Sequence, residues 1–376
     1  MRFSILPVAV AVTVPLALVA CTSKSDSAAG EIAVTTDDSQ CVVANTSAET
    51  GTVTFSITNN GTKVTEFYVY GAGDRVIGEV ENIGPGLTRK LIVSVSDPGT
   101  YQTACKPGMV GDGIRHDFTV TGQAVARDQS GKLAEAATGY RRYIVSQVAA
   151  LQETAKSFVA AIESGDVESA KKQYPLTRTY YERIEPVAES FPDDLDPRLD
   201  LREADLAPGD RWTGFHRLEK DLWAQGLQPD TNRIADQLLA DIAELAAGVG
   251  AADYEVDPVQ VAGGAQTLLD EIARTKITGE EDTFSHTDLW DFQANVDGSQ
   301  AAIASVRPIV DERRAELGAQ IDRRFAELDG ELAKYRQGDG HIGYDKVTEE
   351  QRGALSRRID ALSAVVSQVQ GVVAGS

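Results

Sequence analysis

The residues whose types and spacing most directly suggest chemistry are His216 and Glu219, which lie in an aromatic, helix-forming segment that continues to Trp223. Residues three positions apart share one face of a helix, so this imidazole and this carboxylate can contact one ion together. The pair therefore predicts a metal site. A surface helix whose His and Glu face solvent is the alternative that two residues alone leave open.

Further ligands for such an ion must come from other helices. The helical part of the sequence contains no cysteine, so imidazole nitrogen and carboxylate oxygen are the predicted donors, a set suited to iron, manganese or zinc rather than to copper(I). For each further ligand, a solvent-facing helix charge is the alternative. The candidates are Glu182 or Glu185, Asp236 and, in a second acidic and aromatic segment, His286, Asp288 and Asp291.

Composition limits the class of protein. The chain has 376 residues, of which 42% are hydrophobic, enough for two or three domains with their own cores. Its 36 basic and 57 acidic residues give a net charge of −21. That charge disfavours nucleic acid and anionic membrane surfaces as partners and favours cationic ligands.

The first 21 residues predict the compartment. Arg2 precedes an apolar run, and Leu-Val-Ala-Cys at residues 18–21 closes it, an arrangement that resembles the signal of bacterial lipoproteins. Cleavage before Cys21 would leave this residue as the lipid-bearing N-terminus, with residues 22–30 as a flexible tether. We therefore expect an extracytoplasmic, lipid-anchored protein, in the periplasm or on the outer face of the plasma membrane.

Two regions with different sequence patterns follow. In residues 31–122, short segments of alternating apolar and polar residues are separated by turns rich in Gly, Pro and Asn, which predicts a β-sandwich. After a linker at residues 123–138, residues 139–376 have the amphipathic periods of a helical bundle, with Asp166 and Asp257 as N-caps and a break near Gly318. The acidic residues 192–208 are interpreted as a mostly solvated connection.

Three segments carry a resemblance to a known family. They are Tyr-Glu-Arg-Ile-Glu-Pro-Val-Ala-Glu-Ser-Phe at 181–191, Gly-Phe-His-Arg-Leu-Glu-Lys-Asp-Leu-Trp at 214–223, and Phe-Ser-His-Thr-Asp-Leu-Trp-Asp-Phe-Gln-Ala-Asn-Val-Asp-Gly at 284–298. Together they resemble the imelysin-like EfeO proteins. The β-rich region is similar to the cupredoxin-like domain that precedes the imelysin-like bundle in that family, so the implied fold is a cupredoxin-like β-sandwich followed by an all-α bundle.

The resemblance implies a function in iron uptake. Its Gly-x-His-x-x-Glu signature corresponds to Gly214, His216 and Glu219. It implies the iron-binding component of an EfeUOB-type system, which captures Fe³⁺ or Fe²⁺, with zinc as a surrogate, and works beside an iron permease and a haem peroxidase.

The β-rich domain offers a second candidate site. Cys41 and Cys105 are an even pair in an oxidising compartment, which allows a disulfide. The resemblance implies instead a copper or iron site near these cysteines with acidic neighbours, for which Glu66, Glu79 and Glu81 are the candidates. The sequence leaves both alternatives open.

Two other functions remain as alternatives. Imelysins carry a peptidase label, and His-x-x-Glu could belong to a zinc metallopeptidase, although the chain lacks the His-Glu-x-x-His motif that pairs helical ligands with a general base. A related imelysin-like branch suggests metal-dependent binding of acidic polysaccharide, which a net charge of −21 opposes. We expect a binding protein rather than an enzyme.

Overall fold

A computed structural model describes residues 30–124, 131–193 and 195–375. The predicted signal peptide, the lipidation site Cys21 and nearly all of the predicted tether lie outside these residues. Within them, no helix combines the length and the apolar character needed to cross a bilayer.

The first domain is the expected β-sandwich. Every second residue of the fourth strand, including Val53, Phe55 and Ile57, is buried, as a strand with one face on a core requires. One sheet has the order β2-β1-β4-β7 and the other the order β3-β9-β8-β5-β6. The strands are β1 Glu31–Thr36, β2 Cys41–Val43, β3 Ser47–Glu49, β4 Gly51–Asn59, β5 Thr65–Tyr70, β6 Val76–Ile83, β7 Thr88–Val95, β8 Gly99–Cys105 and β9 Ile114–Thr121.

The two faces of β5 have different roles. Phe67 and Val69 point into the sandwich core, and Phe67 pairs directly with Cys105 on β8. Cys105 forms a disulfide with Cys41 inside this core, with their Cα atoms 5.7 Å apart. The alternate residues of β5 must lie on the opposite face, where the ring of Tyr68 stacks on that of Tyr70.

The second domain is the expected helical bundle. Its first helix begins inside the predicted linker and is 33 residues long. Asp166 and Asp257 are N-caps, as predicted, because their carboxylates accept hydrogen bonds from the backbone N–H groups of Ser169 and Val259. The helices are α1 Gly131–Glu163, α2 Val167–Glu182, α3 Glu185–Glu189, α4 Leu195–Asp200, α5 Gly214–Lys220, α6 Thr231–Gly250, α7 Pro258–Arg274, α8 Asp288–Leu332, α9 Glu349–Val366 and α10 Val369–Ala374. Between α8 and α9, β10 Arg336–Gln337 and β11 Gly340–His341 form a short hairpin.

Two local predictions need correction. The irregular backbone of α8 is at Arg314, four residues before the predicted Gly318, which is itself helical and is covered by the side chains of Arg307 and Asp311. The segment 192–208 is not a solvated connection, since it contains helix α4, which ends in the buried Asp200.

Polar contacts join the two domains along α7. The amide of Gln260 donates to the carbonyl of Ile77 on β6, and Arg89 on β7 forms an ion pair with Asp270. Farther along, Gln370 on α10 donates to the carbonyl of Ile92, 2.9 Å away. These contacts place β6 and β7 of the sandwich beside α7 and α10 of the bundle.

Candidate metal site

Helix α5, which carries His216 and Glu219, is packed tightly against the end of α4. Gly214 begins α5 with a φ of +82°, and a Cβ atom built there would lie 2.1 Å from the carbonyl oxygen of Leu199. The hydroxyl of Thr213 donates to the carbonyl of Arg198, 2.9 Å away. Only glycine permits both this conformation and this approach, which brings the last residue of α4 beside the first turn of α5.

We therefore expect Gly214→Ala to lower the free energy of unfolding by about 1–3 kcal/mol, because a side chain must then adopt a left-handed conformation against a backbone carbonyl. Iron affinity should fall as well, since α5 must move. Gly139→Ala in α1 is the matched control: nothing lies within 4 Å of its added Cβ atom. Urea denaturation of both variants measures the difference, and equal stability would contradict this explanation of Gly214.

The imidazole of His216 is 2% exposed and has carboxylates at both nitrogens. Its Nε2 atom lies 3.4 Å from Asp200 Oδ1 and 3.4 Å from Glu281 Oε1. Its Nδ1 atom lies 3.4 Å from Glu219 Oε2 and 4.0 Å from Asp282 Oδ1. Each edge of the ring thus forms a three-residue group whose donor atoms are close enough to hold one ion.

Glu219 also positions the loop that supplies two of these carboxylates. Its Oε1 atom accepts hydrogen bonds from the backbone N–H groups of Phe284 and Ser285, at 3.0 and 2.7 Å. Its Oε2 atom remains directed at His216. One glutamate therefore faces the ring and holds the segment that follows Glu281 and Asp282.

Arg178 is the main counter-ion of the site. Its guanidinium is fully buried and contacts Glu182, Asp200 and Glu281. The Nε atom is farther from Asp282, at 3.7 Å. A buried cation of this kind is retained only with well-placed anions around it, so Arg178 holds the carboxylates of α2, α4 and the loop before α8 together.

The carboxylates control the charge of His216. Burial and the positive charge of Arg178 oppose protonation of its ring, but Asp200, Glu219 and Glu281 raise the pKa of His216 to about 10. Burial and the neighbouring Asp282 raise the pKa of Glu219, against the effect of His216. A cation at this site would therefore replace a proton that the same carboxylates stabilise.

The structure places the predicted ligands at different distances from the ring. His216 and Glu219 come together. Glu182 is buried in the same charge network, but its carboxylate contacts Arg178 and Lys276 and lies in neither group around the ring. Asp288 is buried beside Asp282, where burial and that neighbour raise its pKa to about 8, and it too lies outside both groups.

Two further predicted ligands lie outside the groups around the ring, and three residues inside those groups were not predicted. Asp236 is on the exposed side of α6, whose buried side carries Ile234, Ala235 and Leu238, and His286 is exposed as well. The signal for the missed residues was the density of acidic residues before α5 and before α8, but nothing in the local pattern separates the buried acids from the exposed ones. The residues that sequence reasoning missed are Asp200, Glu281 and Asp282.

The second candidate site is divided between two faces of one sheet. The sulfur atoms of Cys41 and Cys105 are joined in a disulfide inside the sandwich core, so they are not free thiolate ligands. Glu66 lies on the other face of β5, and its carboxylate interacts electrostatically with that of Glu79. Glu81, whose carboxylate lies 3.4 Å from the hydroxyl of Tyr68, belongs to the same acidic face. The three glutamates therefore lie on the same face of the sheet, whereas the cysteines lie on the opposite face, inside the core.

Comparison with known proteins identifies both domains. The sequence profile of the imelysin family matches residues 136–369, and that of the cupredoxin-like domain matches residues 9–120. The iron uptake system component EfeO of Escherichia coli strain K12 and that of Shigella flexneri are each 39% identical over 350 residues, which is 91% of this chain and 91% of theirs. The chain belongs to the EfeO family. Among solved structures, reduced auracyanin from Roseiflexus castenholzii is 18% identical, with a TM-score of 0.21 over 26% of this chain and all of that chain.

Membership in the EfeO family agrees with the domain order in the structure. The β-sandwich of residues 31–121 precedes the helical domain, as the fold class predicted from sequence requires. The imelysin match spans helices from α1 to α10 and so includes every residue around His216.

Proposed function

We propose that this protein is the lipid-anchored, extracytoplasmic component of an iron-uptake system and that it captures iron at His216. The relatives named as iron uptake components supply the class of function. The observation that carries the proposal is the buried imidazole with carboxylates at both nitrogens. Oxygen donors with one nitrogen suit iron, which here is the cargo and not a resident cofactor.

The Nδ1 edge of the ring is the better position for the ion. At the Nε2 edge, Arg178 already contacts the very oxygens of Asp200 and Glu281 that face the ring. At the Nδ1 edge, its nearest approach to Asp282 is 3.7 Å, and Glu219 Oε2 faces only the ring. A cation bound by His216, Glu219 and Asp282 therefore meets less competing positive charge.

The charges around the site favour release as well as capture. Carboxylates outnumber the nearby cations, Arg178, Arg202 and Lys276, so an added cation is attracted. When the ion leaves, these cations remain as partners of the same carboxylates, so part of the negative charge of the empty site stays neutralised. Such an arrangement suits a protein that passes iron on to a permease and works beside the haem peroxidase of the same system.

The two alternative functions have less support. Each group around the ring contains one imidazole and two carboxylates, and the sequence lacks the His-Glu-x-x-His motif that pairs two helical zinc ligands with a general base. The net charge of −21 repels acidic polysaccharide. We expect no metal-dependent cleavage of a peptide substrate by the purified protein.

Uptake of radioactive iron by cells tests the proposed function. In cells that lack the native gene, the full-length protein should restore accumulation, whereas Cys21→Ser and His216→Ala/Glu219→Ala should not. Asp236→Ala, which changes an exposed carboxylate on α6, is the matched control and should restore it fully. Normal accumulation with His216→Ala/Glu219→Ala would refute the assignment of the site.

A further inference from the structure

A second group of carboxylates lies between the domains, separate from His216. Glu185 and Glu189 on α3 and Glu271 on α7 each offer an oxygen, and these three atoms lie within 4.8 Å of one another. They line a cavity of about 200 Å³ that is also lined by Glu66 and Glu81 of the β-sandwich and by Asp200 and Glu281 from the Nε2 side of His216. The cavity therefore has acidic walls from both domains.

Within the described part of the chain, the carboxylate of Glu271 is buried with no hydrogen bond and with one ion pair, to Lys276, which other carboxylates share. The residue is 6% exposed, it lines the cavity, and neither of its oxygens has a hydrogen-bond partner among the described residues. The Oε2 atom of Glu189 is likewise buried without a hydrogen-bond partner. Buried carboxylates without partners are costly, and a bound cation is a common way in which proteins compensate them.

The nearby cations compensate this group only in part. The ammonium of Lys276 lies 3.3 Å from Glu271 and 3.1 Å from Glu185, but it lies closest to Glu182, at 2.6 Å, and it also faces Glu281. One positive charge is thus shared among four carboxylates, of which Glu185 and Glu271 belong to this group. On the β-sandwich side, Lys106 lies over the ring of Tyr68 and acts on Glu66 and Glu79.

The β-sandwich adds negative charge beside this group. The carboxylates of Glu79 on β6 and of Glu81 act electrostatically on that of Glu189. The acidic face of the β-sandwich therefore increases the attraction of this group for a cation.

We propose that Glu185, Glu189 and Glu271 bind a second hard cation in the cavity between the domains. An oxygen-only set of donors favours a hard divalent or trivalent ion such as Fe³⁺, Mn²⁺ or Ca²⁺ over Cu⁺. Because Glu66 and Glu81 of the β-sandwich line the same cavity, the ion lies between the two domains. None of the three ligands belongs to a group around His216, so this site can be tested independently of the function proposed above.

Titration of the full-length protein with terbium(III), a hard oxygen-binding probe followed by its luminescence, tests the second site. Wild type should bind one equivalent more than Glu189→Gln/Glu271→Gln, and His216→Ala/Glu219→Ala should retain that equivalent. Glu135→Gln/Glu316→Gln, which changes two exposed glutamates, is the control for loss of charge alone and should bind like wild type.

Stability separates loss of the site from loss of the fold. The Glu189→Gln/Glu271→Gln variant lacks the mutual repulsion of these carboxylates, so without metal its melting temperature should equal or exceed that of wild type. Added terbium should raise the melting temperature of wild type more than that of the variant. A folded Glu189→Gln/Glu271→Gln variant that binds as many equivalents as wild type, with the same affinity, would overturn the proposal. Loss of all binding in His216→Ala/Glu219→Ala would also overturn it, because the interface would then hold no ion of its own.

Discussion

Replacing Arg178 with methionine is expected to lower the free energy of unfolding by about 3–5 kcal/mol, the cost of removing one partner from a buried ionic network. The guanidinium is fully buried and contacts Glu182, Asp200 and Glu281. Methionine is flexible and unbranched but has no charge, so these carboxylates would repel one another with Lys276 and Arg202 as the remaining cations beside them. The measurement is urea denaturation of the metal-free protein.

Arg324→Met is the matched control for this variant. Arg324 pairs with Glu327 on the surface of α8, and its side chain is 42% exposed, so its loss should cost no more than about 1 kcal/mol. Iron should also stabilise Arg178→Met more than it stabilises wild type, because the ion supplies the missing positive charge. If Arg178→Met unfolds at the same urea concentration as Arg324→Met, the central role of Arg178 is wrong.

The second large effect concerns iron binding. Replacing both His216 and Glu219 with alanine removes two of the three proposed ligands at the Nδ1 edge, and we expect the affinity for iron to fall roughly 100-fold or more. Glu219 also holds the backbone of Phe284 and Ser285, so the third ligand, Asp282, loses its position in the same variant. The effect should therefore exceed that of losing one donor.

Local sequence patterns predicted part of this site and part of the fold. The spacing of His216 and Glu219 places both on one face of a helix whatever the rest of the chain does, and the caps Asp166 and Asp257 depend on residues two or three positions away. Asp200 differs because its burial arises from the close approach of α4 to Gly214. No local pattern distinguishes it from the exposed acidic residues around it.

Two of the predicted sites depended on strand register or on helix phase, which local sequence does not determine. Cys105 and Glu66 belong to paired strands, but the register sets Phe67 opposite Cys105 and so sends Glu66 to the other face. Asp236 lies one position beyond the buried Ala235, and that shift turns its side chain to solvent. In both cases the residue type was suitable, and tertiary geometry decided the outcome.

The most direct test of the proposed site is a calorimetric titration of the full-length protein with ferric and ferrous iron. Wild type and Asp236→Ala should bind one of these ions tightly, and His216→Ala/Glu219→Ala should lose that binding while it keeps the native circular dichroism spectrum. Tight binding that persists unchanged in a folded His216→Ala/Glu219→Ala variant would contradict the account and would leave the His-x-x-Glu pair with a purely structural role.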